Sequence, residues 1–311
     1  MNIYCHTSLD QSLSERLINE IPSGYSIVFR TENDDQNFEN FSEADIILGN
    51  PPVEWFTQRT KNIKFWQLDS AGFDQYSDVQ LDSDTKVANM GSWFARPCAE
   101  TIIGGVLALY RGIDKLTLLK TKSQWVGAAL RNELKLLHNQ KVLLLGAGTI
   151  GLATKAILEG MGCQIDILAR TSPVATIRSK EDLLPRLNEF DLVVNTLPGT
   201  AKHFVDTSFL SSMKAGSVYS SVGRGTTTDE FALIEALKSG HLSGAVLDVT
   251  EQEPLPANSP LWEMEQVVLT QHTGGGHREE HLGKVDLFLT NIFGLENGAD
   301  IIDSVDINKG Y

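Results

Sequence analysis

The chain reads as an α/β protein built from two parallel-sheet units, and three observations lead there. Its 311 residues exceed one small domain and fall short of three. The first ninety residues alternate short apolar runs with polar segments of helical character. From Lys141 onward the alternation lengthens and becomes regular, which is the rhythm of a doubly wound sheet. A hydrophobic content of 41% supplies material for two cores, and 21% charged residues is too low for a disordered chain.

In the N-terminal part, Asn2–Cys5, Ser26–Phe29, Asp45–Leu48 and Ile63–Leu68 are predicted strands, and Ser12–Ile21 is an amphipathic helix. Asn50-Pro51-Pro52 is a loop, because paired prolines continue neither helix nor central strand. A long helix follows over about Ala95–Gly112, with Pro97 tolerated in its first turn. Strands are then expected at Val142–Leu145, Ile165–Leu168, Leu192–Asn195, Ser217–Ser221, Ala245–Leu247 and Val267–Thr270. Helices over Ile150–Gly160, Lys180–Phe190, Thr207–Lys214 and Asp229–Ser239 fit between them. His277–Leu295 is a second long helix, and Ala299–Ile307 a closing strand or extended tail.

Charge and cysteines narrow the class. Forty acids against 26 bases give a net charge of -14, which disfavours nucleic acid or an anionic membrane as partner. Cys5, Cys98 and Cys163 are widely spaced and form no Cys-x-x-Cys pair, so neither a disulfide framework nor a zinc site is expected. No secretory signal is visible and no apolar stretch is long enough to span a bilayer. The expectation is a cytoplasmic protein.

Val142-Leu-Leu-Leu-Gly146-Ala-Gly148-Thr149-Ile150-Gly151 follows a strand and opens a helix, the context that separates a dinucleotide fingerprint from a chance glycine triplet. Gly146 permits the tight turn, Gly148 the approach of a pyrophosphate, and Gly151 close packing of helix on strand. An NAD site usually carries Asp or Glu after the second strand to hold the ribose 2′-hydroxyl. Here that position is Ala169, while Arg170, Thr171 and Ser172 suit a 2′-phosphate. NADP(H) is therefore the favoured cofactor, with NAD(H) the other candidate.

Three further strands end in ionisable residues: Arg224 between Gly223 and Gly225, Asp248 followed by Glu253, and His272 before the glycine cluster that includes Gly274. Arg224 is always charged and presents a planar fork, His272 is a residue type that titrates near neutrality, and both follow strands at the carboxyl edge where doubly wound sheets bind ligands. His277-Arg-Glu-Glu-His281 matches a zinc pattern, but it is read as a solvated helix face and no metal is expected.

Over nearly its whole length the sequence resembles the D-isomer-specific 2-hydroxyacid dehydrogenase family, which includes glyoxylate/hydroxypyruvate reductases. The resemblance rests on Asp69-Ser-Ala71-Gly72-Phe-Asp74, Asn89-Met-Gly91 through Ala99-Glu100, the glycine fingerprint, Asp191 to Thr196-Leu197-Pro198, Met213-Lys214, Gly223-Arg224-Gly225, Asp248 to Glu253-Pro254, His272, and Val305 to Gly310-Tyr311. It implies a Rossmann-type cofactor domain over 96–276 and a smaller flavodoxin-like substrate domain made from 1–95 and 277–311. It also implies a homodimer, and substrate-carboxylate binding by the backbone of Ala71–Gly72. Asp248 is placed on the nicotinamide side, and Val222 with Leu197–Pro198 along its pocket.

The expected reaction is NADPH-favoured reduction of glyoxylate or hydroxypyruvate to the D-2-hydroxy acid, as the resemblance implies. It needs a cation for the carboxylate, a hydride donor and a proton donor for the carbonyl oxygen: Arg224 suits the first, His272 the last, and Glu253 the orienting of the imidazole. The alternatives are the same chemistry on a bulkier sugar-derived keto acid, or a non-catalytic NAD(P)-sensing protein of corepressor type. The chain departs from the family pattern at Gln271, where proline is usual, at Ala169, and at Trp93-Phe94.

Overall fold

Contacts divide the chain into two units, Met1–Phe94 together with Gly276–Tyr311, and Ala95–Gly275. The computed structural model describes residues 1–59 and 61–309, so Gly310 and Tyr311 of the family-like terminus lie outside the described residues.

The first unit runs β1 (Asn2–Cys5), α1 (Gln11–Glu20), β2 (Ser26–Phe29), α2 (Asp34–Glu43), β3 (Ile46–Leu48), α3 (Val53–Gln58), β4 (Phe65–Gln67) and β5 (Lys86–Ala88). Side-chain caps set the helix starts: Asp10 accepts from the Leu13 N–H, and Asn33 from the Gln36 N–H. The Pro51-Pro52 pair forms a loop, and α3 opens directly after it.

Helix α4 (Gly91–Arg111) begins four residues before the expected start. Asn89 explains this, because its side-chain oxygen accepts the Gly91 N–H at 3.0 Å and so caps the helix early. Pro97 consequently lies inside the helix, not in its first turn, and leaves the Trp93 carbonyl without its usual donor.

The second unit continues with α5 (Ile113–Thr121), α6 (Gly127–Leu130), β6 (Lys141–Leu145), α7 (Thr149–Gly160), β7 (Gln164–Leu168), α8 (Lys180–Leu183), β8 (Leu192–Asn195), α9 (Thr207–Ser212), β9 (Val218–Ser221), α10 (Glu230–Lys238), β10 (Gly244–Leu247) and β11 (Val267–Leu269). The helix expected over Lys180–Phe190 is short. Pro185 has no N–H for the Glu181 carbonyl, so α8 stops at Leu183 and Leu184–Glu189 proceeds as a 3₁₀ turn. The chain then returns to the first unit with α11 (Glu280–Glu296) and β12 (Ser304–Val305).

The first unit's sheet has the order β2-β1-β3-β4-β5-β12, parallel except for β12, which pairs antiparallel with β5. The order 2-1-3-4-5 is flavodoxin-like. The second sheet, β7-β6-β8-β9-β10-β11, is parallel throughout. Beyond β7 a single parallel bridge from Leu168 to Ile177 stands where larger doubly wound sheets carry another strand. Strands β8, β9 and β10 are buried along their full lengths; β8 and β10 read as nearly unbroken apolar runs, whereas β9 ends in two buried serines, Ser220 and Ser221. Every parallel strand of this sheet ends on one edge, and β6, flanked by β7 and β8, marks the switch point where ligands bind in such folds.

A buried amide pair welds the chain's last segment into the first unit. Asn291 of α11 donates to Gln67 Oε1 at 2.8 Å and to the Ile302 carbonyl at 3.1 Å, and accepts the Ile302 N–H at 2.8 Å. Gln67 in turn donates to the Asn89 carbonyl at 2.9 Å. Asn291→Leu strands three polar groups and should cost about 2–4 kcal/mol. Chemical denaturation followed by circular dichroism measures it, and a loss below the error of extrapolation would remove this network from the stability of the unit.

Candidate active site

The glycine turn after β6 has the geometry of a phosphate cradle. Gly146 sits at φ 105, and a Cβ on Gly151 would stand 2.4 Å from the Gly146 carbonyl oxygen, so both positions exclude side chains. A Cβ on Gly148 would meet nothing within 4 Å, which leaves open space directly before α7. The first bond of α7 runs from the Leu152 N–H to the Gly148 carbonyl at 2.9 Å, the helix has no side-chain cap, and its first turn carries no acid. The N–H groups of Thr149, Ile150 and Gly151 therefore present a positive dipole end to that space.

At the end of β7 the 169–178 loop is pinned at both sides. Ala169 donates to the Ile177 carbonyl at 3.1 Å, and the Arg178 guanidinium donates to the Ser172 carbonyl at 2.6 Å. Arg170 and Thr171 are exposed on this loop. Asp166 is taken up by an ion pair with Arg186 at 2.9 Å, further back along the strand. Arg178 was missed by the sequence reading, since nothing in its local pattern shows that it folds back on Ser172.

Arg224 is held by a buried polar network. Asn195, at the end of β8, donates to Tyr219 Oη at 2.9 Å and to Thr227 Oγ1 at 2.7 Å, and accepts the Leu197 N–H at 3.0 Å. Thr227 Oγ1 then donates to the Arg224 carbonyl at 2.6 Å. Burial pushes the Tyr219 hydroxyl pKa up, so it stays a neutral donor and acceptor. Backbone contacts are close enough here that a Cβ on Gly223 would stand 2.3 Å from the Leu197 carbonyl oxygen. Leu197–Pro198 and Val222–Arg224 are thus forced side by side.

Glu253 and His272 come together. His272 Nδ1 and Glu253 Oε2 are 2.6 Å apart, and the other Glu253 oxygen accepts the Thr250 N–H at 3.1 Å. Asp248, which is buried, organises the turn that carries the histidine. Its Oδ1 accepts from Thr270 Oγ1 at 2.6 Å, the Thr273 N–H at 3.0 Å and the Gly274 N–H at 2.9 Å. Its carbonyl accepts the His272 N–H at 2.5 Å. Gln271 and His272 both adopt left-handed backbone, φ 52 and φ 57. A cavity of about 390 Å³ adjoins the pair, walled by Pro254, Leu255, Trp262 and Leu269. Cys98, whose pKa burial pushes up to about 12, is a neutral thiol near Asp248 and no nucleophile.

In the first unit the Ala71–Gly72 loop is suspended from its neighbours. Asn89 donates to the Ala71 carbonyl at 2.6 Å, Ser70 Oγ to the Gly72 carbonyl at 2.7 Å, and Asn50 to Ser70 Oγ at 2.9 Å. The two carbonyls are thereby engaged, while the Ala71 and Gly72 N–H groups donate to no partner among the described residues. The histidines of the zinc-like pattern do not share a helix. His277 precedes α11 and stacks on Trp93 at 5.5 Å, and Trp93 lies against Gly283. Among the described residues no cluster of three or more His, Cys, Asp or Glu could hold a metal ion, and no helix is long and apolar enough to cross a membrane.

Residues 103–274 match the family model of the D-isomer specific 2-hydroxyacid dehydrogenase NAD binding domain. The chain is 30% identical over 220 residues to glyoxylate/hydroxypyruvate reductase A of Salmonella paratyphi B, covering 68% of each. It is 28% identical over 309 residues to glyoxylate/hydroxypyruvate reductase B of Serratia proteamaculans, covering 96% of this chain and 95% of that one. Among solved structures, a D-isomer specific 2-hydroxyacid dehydrogenase of Xanthobacter autotrophicus, determined with NADPH and MES, is similar with a TM-score of 0.82. That pair shares 24% identity and covers 100% of this chain and 99% of that one. The chain belongs to the D-isomer specific 2-hydroxyacid dehydrogenases, a family defined by a dinucleotide-binding domain of this kind, and it is an oxidoreductase.

The turn at Gln271 gives a test of the local geometry. Proline fixes φ near −65° and cannot adopt the left-handed value found at Gln271. Gln271→Pro should lower stability by about 1–3 kcal/mol, and Gln271→Gly should raise it by up to ~1 kcal/mol. Thermal melts of the two variants measure both, and a proline variant as stable as the parent would show that the turn is not left-handed in solution.

Proposed function

We propose that this oxidoreductase reduces a small 2-keto acid of the glyoxylate/hydroxypyruvate type to the D-2-hydroxy acid, with NADPH the preferred donor. One observation carries the reading: a histidine–glutamate pair at 2.6 Å stands on the sheet edge that also bears the glycine cradle and Arg224. Gly146, Gly148, Thr149, Ile150 and Gly151 would hold the cofactor's pyrophosphate, with Leu197, Pro198, Val222, Gly223 and Gly274 along the nicotinamide. Arg170 and Thr171 would hold the 2′-phosphate. When bound, the reduced nicotinamide supplies the hydride.

Arg224 binds the substrate carboxylate through its planar fork and polarises the ketone. The Ala71–Gly72 N–H groups also serve the carboxylate. With Nδ1–H donated to Glu253, the proton that His272 transfers sits on Nε2, and the ketone oxygen takes it as C2 takes the hydride. Asp248, which the family resemblance puts at the nicotinamide, also holds the His272 turn through the three donors on its Oδ1.

A homodimer through the segment bearing Ile113, Leu116, Leu118, Trp125 and Leu136 would cover large apolar side chains that are otherwise exposed, Trp125 at 99%. Three free cysteines and an acidic surface fit a cytoplasmic setting without nucleic acid or membrane as partner.

The test is reduced-nicotinamide oxidation against glyoxylate, hydroxypyruvate, pyruvate and 2-ketogluconate, with NADPH and NADH in parallel. His272→Ala should lose on the order of 10²-fold or more in kcat, and Glu253→Gln a comparable amount. Parent-like turnover in either would remove its role, and no turnover by the parent on any substrate would sink the reading. Arg170→Ala should cost about tenfold in kcat/KM for NADPH and little for NADH, since one charge-assisted bond is worth about that factor. Equal losses with both cofactors would contradict a 2′-phosphate contact.

A further inference from the structure

Helix α11 buries Val285, Phe288, Leu289 and Ile292 in the core of the first unit, yet Lys284 lies among its buried residues at 8% exposure. Lysine is almost never buried unless paired, so a lysine there needs a partner and a reason. Its Nζ is 2.8 Å from Glu280 Oε1 and 4.0 Å from Asp69 Oδ2. Asp69 opens the loop that contains Ala71 and Gly72. The same Asp69 oxygen accepts the Thr7 hydroxyl at 2.8 Å, and the Asp69 N–H donates to Asn50 Oδ1 at 3.2 Å.

The loop start is thus gripped from β1 through Thr7, from the β3 end through Asn50, and from α11 through Lys284. It also carries a charge problem. Asp69 and Glu280 place two carboxylates near N–H groups proposed to receive a third from the substrate. Lys284 is the cation set between the two acids. Without it the anion would approach two uncompensated, partly buried negative charges, which water screens poorly.

We propose that Lys284 is a positioning residue for substrate-carboxylate binding: its ammonium anchors Asp69 and cancels part of the acidic field at the Ala71–Gly72 loop. The proposal rests on the reading of that loop as the carboxylate site. It adds a substrate-affinity determinant outside the glycine, arginine and histidine motifs, and one that acts without touching the reacting atoms.

The experiment compares the parent with Lys284→Met, Lys284→Gln, Lys284→Arg and the double variant Lys284→Met/Asp69→Asn. Keto-acid KM, NADPH KM and kcat are measured for each with glyoxylate and hydroxypyruvate. Amide hydrogen exchange is followed in the peptide spanning 68–76. Loss of the charge, in the Met or the Gln variant, should raise keto-acid KM about tenfold while kcat and NADPH KM stay within about threefold. Lys284→Arg should remain close to the parent, and adding Asp69→Asn to Lys284→Met should recover part of the loss, because one of the two acids left uncompensated, the one at the loop itself, is then gone. Exchange in the 68–76 peptide should speed up in the Met and Gln variants alone.

An unchanged keto-acid KM in both neutral variants overturns the proposal. So does an equal rise in Lys284→Arg, or a double variant no better than Lys284→Met, since either outcome makes the effect one of packing. A parent that reduces neither keto acid refutes the carboxylate-site reading instead. In that case exchange at 68–76 still decides whether Lys284 holds the loop, and exchange unaltered in every variant would refute that too.

Discussion

Three donors converge on one oxygen of Asp248, and a fourth reaches its carbonyl, all from the turn that follows the neighbouring strand. A buried carboxylate is costly in itself, but hydrogen bonds to a charged acceptor are the strong kind and here offset that cost. They hold two successive residues, Gln271 and His272, in left-handed backbone that would otherwise cost on the order of 1–2 kcal/mol each. The direction in which His272 meets Glu253 follows from that turn. Asp248 thus fixes the turn that brings His272 to Glu253, and the strand end of β10 becomes the reference point for the residues that follow β11.

The same device recurs at the other strand ends. Asn195 does for the Arg224 loop what Asp248 does for the histidine, through Thr227 and Tyr219. Asn50 and Asn89 do it for the loop of Ala71 and Gly72. In each case a polar side chain at the carboxyl end of a buried parallel strand bonds the following loop or the one beside it. A parallel sheet favours this solution, because all its strand ends share one edge and its helices cover both faces. The functional loops are therefore fixed by a rigid scaffold and not by their own composition.

That division also explains what could be read from the sequence. Strands such as β6 and β8 were legible because burial on both faces leaves unbroken apolar runs. The glycine turn was legible because Gly146 and Gly151 answer to backbone sterics within one short segment. Glu253 and His272 were picked out by the chemistry a keto-acid reduction demands. Helix α2 was not seen, since only Asn37 and Phe41 of its ten residues are buried and no apolar period results. The early start of α4 depends on the Asn89 side chain, and the end of α8 on Pro185 overriding a helical pattern. Lys284 and Arg178 escaped for a different reason: each acts on a partner that local spacing does not reveal. Periodicity reports burial, and neither of these contacts has a period.

The chain's charge takes on a different meaning once these contacts are known. A net charge of -14 argues against large anionic partners, because they would sample the whole surface. A small anion samples only its immediate surroundings, since the Debye length at physiological salt is about 8 Å. What matters at that range is the local balance: an uncapped helix start with no acid in its first turn at α7, a guanidinium at Arg224, and one ammonium between two carboxylates at Asp69. The first is a positive dipole end with no acid in its turn. The third is a deficit partly corrected, and a corrected deficit can be tuned by a single residue. On this argument the first unit, whose candidate anion-binding loop offers only N–H groups, is where the affinity we propose for a carboxylate would be set by compensation.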